Sequence, residues 1–438
     1  MDTESQGHVV ALREKALAGL RQGDASLAEQ CFVQLLETMP DDVDALQFVA
    51  GRHFQRGDGV RAVALLQHAA LTAPGNADIM HQLGTVQMAN GDLQGAASSL
   101  GRCLELQPGH FLARLRLGMA MEQLGRSHEA LVAYFAAINT AQAQGRWLSD
   151  ATTAPGVRVA VQHAMRHVDA GRHALFDGLL EPLRERYGRG EMRRVEECLA
   201  IYLHERQANL PDPRQQPKFL YFPGIPSRTY YPRQRFPEFE ALEAATASIR
   251  DELCAVLDRP EGLEAFLRAD TQEQLDSMLH GAGAQRAAWD AYFFYRHGQR
   301  YDAHCEACPR TTATIERMPL SRIRDHGPET LFSVLRPGTH ILPHRGVTNT
   351  RLVTHLPLIV PADCALNVGG EIHEWQEGRC VTFDDTFEHE AWNRSDSTRV
   401  VLIMDCWNPD LTEAEREAVA VLVAGIGDFN RSCELPGE

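Results

Sequence analysis

Glycine, alanine and proline return at a fixed step through the first third of the chain. Gly23, Gly57, Gly91 and Gly125 lie 34 residues apart, Pro40, Pro74 and Pro108 keep the same interval, and so do Ala28, Ala62, Ala96 and Ala130. A 34-residue period over residues 8–141 is that of a stacked helix pair. Small residues at Ala16, Ala50, Gly84 and Gly118 let the two helices of each pair approach, a Gly-Asp or Gly-Arg pair turns the chain, and Phe32, Leu66, Leu100 and Tyr134 fill the seam. Four arbitrary helices would not hold three residue types in one register. The pattern predicts four units stacked into a short superhelix.

This is the tetratricopeptide signature, and it sets the first domain at residues 1–145. Such a module offers a concave surface to a peptide or protein partner, or serves as a scaffold that docks the next domain. Periodicity then persists without the repeat. Helices are predicted over 157–168, 174–186 and 192–205, in a helical connector of residues 146–215 that Asn209-Leu210-Pro211-Asp212-Pro213 ends.

Composition narrows the function. The chain carries 43 Lys and Arg against 59 Asp and Glu, a net charge of −16, which argues against nucleic acid or an anionic membrane as partner. It shows no run of 18 apolar residues and no basic, apolar leader, so a cytoplasmic location is expected. Ten scattered cysteines do not make a disulfide framework. Cys305-Glu306-Ala307-Cys308 lacks the further ligands that a structural zinc site needs and is read as a pair of plain thiols.

From residue 216 the character changes. Phe219–Pro226 reads as a strand and turn, 239–257 as a helix and Trp289–Tyr295 as an aromatic strand. Short strands follow over 330–336, 351–360, 364–368, 371–375, 379–384, 389–393 and 398–406, with Gly369-Gly370 as a hairpin turn. Thr412-Glu413-Ala414-Glu415 is a capping box that starts a closing helix. Evenly spaced strands predict a sandwich or barrel, and the cupin-like jelly roll is the version with a metal in its mouth. Two histidines, His344 and His389, stand on such strands and could converge on one ion. The usual non-haem iron site adds a carboxylate in a His-x-Asp pair. Gly346 stands there instead, so either this is no metal site or water replaces the carboxylate. On the second reading, an Asp at 346 would add a third ligand.

Ser333, Pro337-Gly338-Thr339-His340, the phrase from His344 through Thr348-Asn349, Arg351 and His355 to Leu358, Trp375-x-Glu377-Gly378, Phe383-Asp384-Asp385-x-Phe387-Glu388-His389-Glu390-x-Trp392 and Arg399 together resemble the aspartyl/asparaginyl β-hydroxylases over residues 216–410. The resemblance implies a multidomain chain, with tetratricopeptide-type helical repeats followed by a C-terminal double-stranded β-helix over 216–438. It implies Fe(II) held by His344 and His389 without a carboxylate ligand, and 2-oxoglutarate as co-substrate. Arg399 and Ser333 would grip the distal carboxylate, and His355 the carboxylate nearest the metal. Arg351 would face substrate or co-substrate, with Val353 in place of a second arginine. A metal histidine normally gives its other ring nitrogen to a carboxylate or carbonyl, and Asp384, Asp385, Glu388 and Glu390 stand beside His389; no ligand role follows for His340. The implied reaction is hydroxylation of the β-carbon of Asp or Asn in a peptide or protein, coupled to conversion of 2-oxoglutarate to succinate and CO2. The alternatives are another substrate, such as a lipid A acyl chain or a free amino acid, or a non-catalytic repeat adaptor with a degenerate barrel.

Overall fold

In a computed structural model that describes residues 3–259, 261–267, 271–281 and 288–433, the 34-residue period becomes four helix pairs. They are α1 (Thr3–Arg21) with α2 (Ala25–Thr38), α3 (Val43–Gln55) with α4 (Gly59–Thr72), α5 (Ala77–Ala89) with α6 (Leu93–Leu106), and α7 (Phe111–Gln123) with α8 (Ser127–Ala143). The periodic glycines make the turns, at φ of +77°, +83°, +82° and +74°, a region costly for any residue with a Cβ. The aspartates after the first three cap the next helix, accepting from the N–H of Leu27, Arg61 and Gly95. Each cap contributes about 1 kcal/mol. Arg126 makes no such bond. Ala28, Ala62, Ala96 and Ala130 are fully buried. A Cβ at Gly84 would meet Leu100 at 2.6 Å, and one at Gly118 the Tyr134 ring at 2.5 Å, so the small residue and the large one 16 positions later are two halves of one contact.

The chain forms two compact units, one with the residues through His173 and the stretch from Phe429, the other Ala174–Asp428. The two helices expected over 157–168 and 174–186 are one, α9 (Arg158–Tyr187). Gly171 does not break it; a Cβ there would lie 2.8 Å from Leu131 Cδ1, so this glycine admits a neighbouring side chain. Gly188, at φ +84°, separates α9 from α10 (Arg189–Tyr202).

The second unit is a β-structure covered by helices. Its strands are β1 (Glu264–Ala265), β2 (Leu279–Gly281), β3 (Trp289–Arg296), β4 (Gln299–Arg300), β5 (Thr330–Leu335), β6 (Thr339–His344), β7 (Arg351–Ile359), β8 (Cys364–Val368), β9 (Glu371–Glu374), β10 (Val381–Phe383), β11 (His389–Asn393) and β12 (Arg399–Trp407). One antiparallel sheet runs β1-β3-β5-β12-β7-β10 with β4 on β3, the other β2-β6-β11-β8-β9. This is the expected double-stranded β-helix. Gly369 and Gly370, at φ +60° and +88°, join β8 to β9, where Val368 pairs with Glu371. The predicted strand at 219–226 is instead a turn-rich segment with one bridge, Leu220 to Thr348. Asn349 clamps it, accepting from Phe222 N at 2.8 Å and donating to Phe222 O at 2.9 Å.

Alternation along the strands makes two cores. Phe332, Val334, Leu352, Leu356, Leu358, Val400, Leu402 and Met404 face outward. They pack under α11 (Phe239–Ala244) and α12 (Thr246–Asp258), and under α14 (Asp302–Ala307) and α15 (Pro309–Ile315), through Leu242, Ile249, Leu253, Cys305 and Ile315; α13 (Gln272–Asp276) sets Leu275 against the other core. Cys305 and Cys308 belong to this apolar layer, and burial pushes the Cys308 thiol up to about 12. Leu335, Leu366, Val368, Phe383, Ala391 and Val401 fill the space between the sheets. The closing helix α16 (Glu413–Cys433) begins with the expected capping box, Thr412 N to Glu415 Oε2 at 2.9 Å and Glu415 N to Thr412 Oγ1 at 3.3 Å.

Candidate active site

The inward positions of the strands collect the predicted residues. Ser333 on β5, Arg351, Val353 and His355 at alternate positions of β7, and Arg399 on β12 lie on the face of their sheet opposite the helix-covered core. His344 ends β6 and His389 begins β11, and the two are register partners in the other sheet. Their ring centroids are 4.1 Å apart. His344 Nδ1 donates to Leu342 O at 2.8 Å and His389 Nδ1 to Phe387 O at 3.1 Å. Both lone pairs therefore sit on Nε2. Burial holds both imidazoles below their ordinary pKa, His389 at about 4. Two neutral, oriented imidazoles side by side are what a divalent ion needs.

The carboxylates beside His389 do not orient it. Asp384 accepts from Gln215 Nε2 at 2.7 Å and from Thr386 N at 2.9 Å. Glu388 pairs with Arg345 at 2.9 Å, and Glu390 takes His340 Nε2 at 2.8 Å and Asn367 Nδ2 at 2.9 Å. That gives His340 a structural partner. The turn before β11, and β11 itself for Glu390, aim each acid at a different element, and main-chain carbonyls are left to fix both rings.

Asp385 fills the room beside Gly346. A Cβ at 346 would stand 2.1 Å from its Cγ, and Gly346 N donates to Asp385 O at 2.6 Å. An aspartate at 346, expected to add a ligand, has no space to enter. Asp385 is buried and pairs with Arg351 at 3.0 Å; Arg351 also reaches Asp405 at 3.2 Å. Its Oδ1 is buried without a partner.

Aromatic rings continue inward from the histidines. Phe383 lies 5.5 Å from His389 and 5.1 Å from His355, and Trp375 lies 5.9 Å from His355 and 4.8 Å under the Arg399 guanidinium. His355 is buried, held neutral first by burial and then by Arg399, and its Nδ1 has no partner. Arg399 is 1% exposed and meets no carboxylate within ion-pair distance among the described residues. It donates only to Ser333, to Oγ at 3.3 Å and to O at 3.4 Å, while Trp289 Nε1 donates to the same Oγ at 2.8 Å. Burial lowers its pKa to about 10. A buried cation without a counter-ion is costly, so the interior is built to receive an anion. Trp375 and Trp289 belong to this end of the site; the sequence quotes Trp375 in a motif without giving it a role. Outside, a cavity of about 520 Å³ opens beside His389, lined by Arg214, Gln216, Pro343, Arg345, Asn367 and Glu388 among others.

A family profile described as Aspartyl/Asparaginyl beta-hydroxylase matches residues 243–409, and one described as Tetratricopeptide repeat matches 81–145. Aspartate beta-hydroxylase domain-containing protein 2 of Rattus norvegicus is 30% identical over 262 residues, 59% of this chain and 73% of the relative. The chain belongs to the aspartyl/asparaginyl β-hydroxylase family. Human aspartyl/asparaginyl beta-hydroxylase is 33% identical over 184 residues, 42% of this chain but 23% of that protein. The chain thus spans about a quarter of this relative's length. The ornithine lipid ester-linked acyl 2-hydroxylase of Rhizobium tropici is 36% identical over 183 residues, 41% of this chain and 60% of the relative. No helix among the described residues is long and apolar enough to cross a membrane.

Proposed function

We propose that this family member is an Fe(II)- and 2-oxoglutarate-dependent dioxygenase that hydroxylates the β-carbon of an Asp or Asn residue in a peptide or protein. The observation that carries the reading is the pairing of two neutral imidazoles, His344 and His389, with a buried, counter-ion-free Arg399 farther inside the same barrel. In this reading His344 and His389 hold the iron through Nε2. When bound, iron supplies oxygen activation and the coupled oxidation of 2-oxoglutarate to succinate and CO2.

The rest falls to the chain. Arg399 and Ser333 bind the distal carboxylate of 2-oxoglutarate in a charge-assisted contact, and His355, with its unpartnered Nδ1, meets the carboxylate at the other end. Phe383 and Trp375 exclude water between them. Arg351, held by Asp385 and Asp405, acts through Asp385, fixing a negative charge beside the two imidazoles where other sites carry a ligand. Arg345 lines the outer cavity, and the positive charge of Lys218 bears on His344. Arg345 is matched there by Glu388, so Lys218 is the cation that suits an acidic peptide side chain and offsets the loss of positive charge at Val353.

We assign the repeats to 1–145, the connector to 146–215 and the dioxygenase domain to 216–438. The repeat groove, with Phe32, Phe48, Phe54, Arg52 and Arg116 around about 730 Å³, suits a stretch of polypeptide. The Rhizobium relative's printed activity supports a second reading in which the carbon oxidised belongs to an acyl chain. Succinate formation by the full chain with Fe(II) and 2-oxoglutarate, and its loss in His344→Ala and His389→Ala, tests the site. Unchanged succinate in either variant would remove that residue from it.

A further inference from the structure

Outside the barrel, the described residues contain one cluster with the composition of a metal site: Glu122 near the end of α7, and His163 and His167 on α9. One ligand atom from each lies within 4.8 Å of the other two. His163 Nε2 stands 3.1 Å and His167 Nδ1 3.3 Å from one oxygen, Glu122 Oε1. A tetrahedral centre with bonds of about 2.1 Å sets its ligands roughly 3.4 Å apart, so both nitrogens already stand near that spacing from the carboxylate oxygen. The histidines are four residues apart on one helix, which stacks both imidazoles on one face; the same interval supplies the ligand pair of helical zinc sites.

The surroundings add a supporting layer. Tyr134, buried in the seam of the last repeat, donates its hydroxyl to Glu122 Oε2 at 2.7 Å. Its ring meets the imidazoles edge-on at 6.1 Å and 5.2 Å. A hydrogen bond from a fixed hydroxyl orients a ligating carboxylate. Burial works against the charge on Glu122, but Tyr134 and the two histidines outweigh it and hold the carboxyl below its ordinary pKa. Two imidazoles and one carboxylate suit zinc, cobalt or nickel rather than magnesium or calcium, which prefer oxygen alone.

We propose that Glu122, His163 and His167 form a three-ligand site for Zn2+ or a similar borderline divalent cation, with the fourth position open to water. The half-exposed side chain of His163 gives that position access to solvent. The ion would tie the first helix of the last repeat to the helix that follows the stack, closing a terminus that a repeat array must cap. The site is separate from His344 and His389.

The test uses the full chain carrying His344→Ala and His389→Ala, so that only the new site reports. Equilibrium dialysis against Zn2+ should retain one ion per chain, and Zn2+ should raise the thermal midpoint. Glu122→Gln and His163→Ala should each weaken retention by about tenfold or more, and Tyr134→Phe by about tenfold. Tyr134→Phe keeps the packed ring, so it decides the question even where a ligand variant disturbs the helix. No retained zinc, or zinc held equally by all four proteins, overturns the site.

Discussion

Gly346→Ala adds a single methyl group, and its cost can be worked from one neighbour. Gly346 does not adopt the left-handed conformation, and its Cβ would lie 2.1 Å from Asp385 Cγ and 2.2 Å from both carboxylate oxygens. The penalty is therefore steric. Ordinary contact needs about 3.5 Å, so the carboxylate must retreat by roughly 1.4 Å, which breaks its 3.0 Å pair with Arg351. Breaking a buried pair costs about 3 to 5 kcal/mol; Arg351 keeps Asp405, which reduces this to about 2 to 3 kcal/mol, in line with the usual cost of overpacking. At about 2 to 4 °C per kcal/mol for a domain of this size, the thermal midpoint of the hydroxylase unit should fall by roughly 4 to 12 °C. Asp385→Ala clears the space, so Gly346→Ala in that background should cost less than about 1 kcal/mol, a non-additivity expected of touching residues. Scanning calorimetry of the four proteins measures it. An equal drop in both backgrounds, or none in the otherwise unaltered chain, would refute the claim that Asp385 fills the glycine's space.

Arg399→Met should raise the 2-oxoglutarate concentration needed for turnover by roughly 30-fold or more, from about 2 to 4 kcal/mol of lost charge-assisted contact, while the midpoint holds or rises because a buried cation with no counter-ion among the described residues is removed; a lowered midpoint with unchanged co-substrate dependence would reverse the assignment. Glu329 titrates at about 7, pushed up chiefly by burial. The folded chain thus binds its proton more tightly than the unfolded chain, so its contribution to stability is present below about pH 4.5 and lost as pH rises through about 7. Glu329→Gln should flatten that part of a pH–stability curve followed by thermal midpoint. In the repeats, Gly118→Ala should destabilise by about 1 to 3 kcal/mol, since its Cβ meets the Tyr134 ring. Gly101→Ala, with nothing within 4 Å, should stabilise by about 0.5 to 1 kcal/mol, and thermal melts of the two compare directly.

How much was legible depended on whether a residue's surroundings recur in sequence. The repeat register was readable because Gly23 and its three successors turn the chain alike and each small residue answers a large one in the next helix. The barrel was readable because alternation on β7 and β12 sends Leu352 and Val400 outward, and Arg351 and Arg399 inward. The helices expected over 157–168 and 174–186 are one, and Gly171 between them serves to admit Leu131, a contact with another segment that local periodicity does not carry. The segment at 219–226 is apolar enough for a strand, yet its bonds go to Asn349. The acids around His389 were grouped by adjacency, whereas the turn before β11 sends Asp384, Asp385 and Glu388 to Gln215, Arg351 and Arg345, and β11 sends Glu390 to His340. That Asp385 stands where Gly346 leaves room is a relation between two segments that no local pattern records.

The most direct test of the central reading follows oxygen onto a peptide. Asp- and Asn-containing peptides are incubated with the full chain, Fe(II), 2-oxoglutarate and oxygen, and both peptide mass and succinate are measured. The account predicts the mass of one added oxygen on the β-carbon of an Asp or Asn, one succinate for each, and neither product with His389→Ala. Succinate that forms equally with His389→Ala, or oxygen that appears on peptide without 2-oxoglutarate, would contradict it.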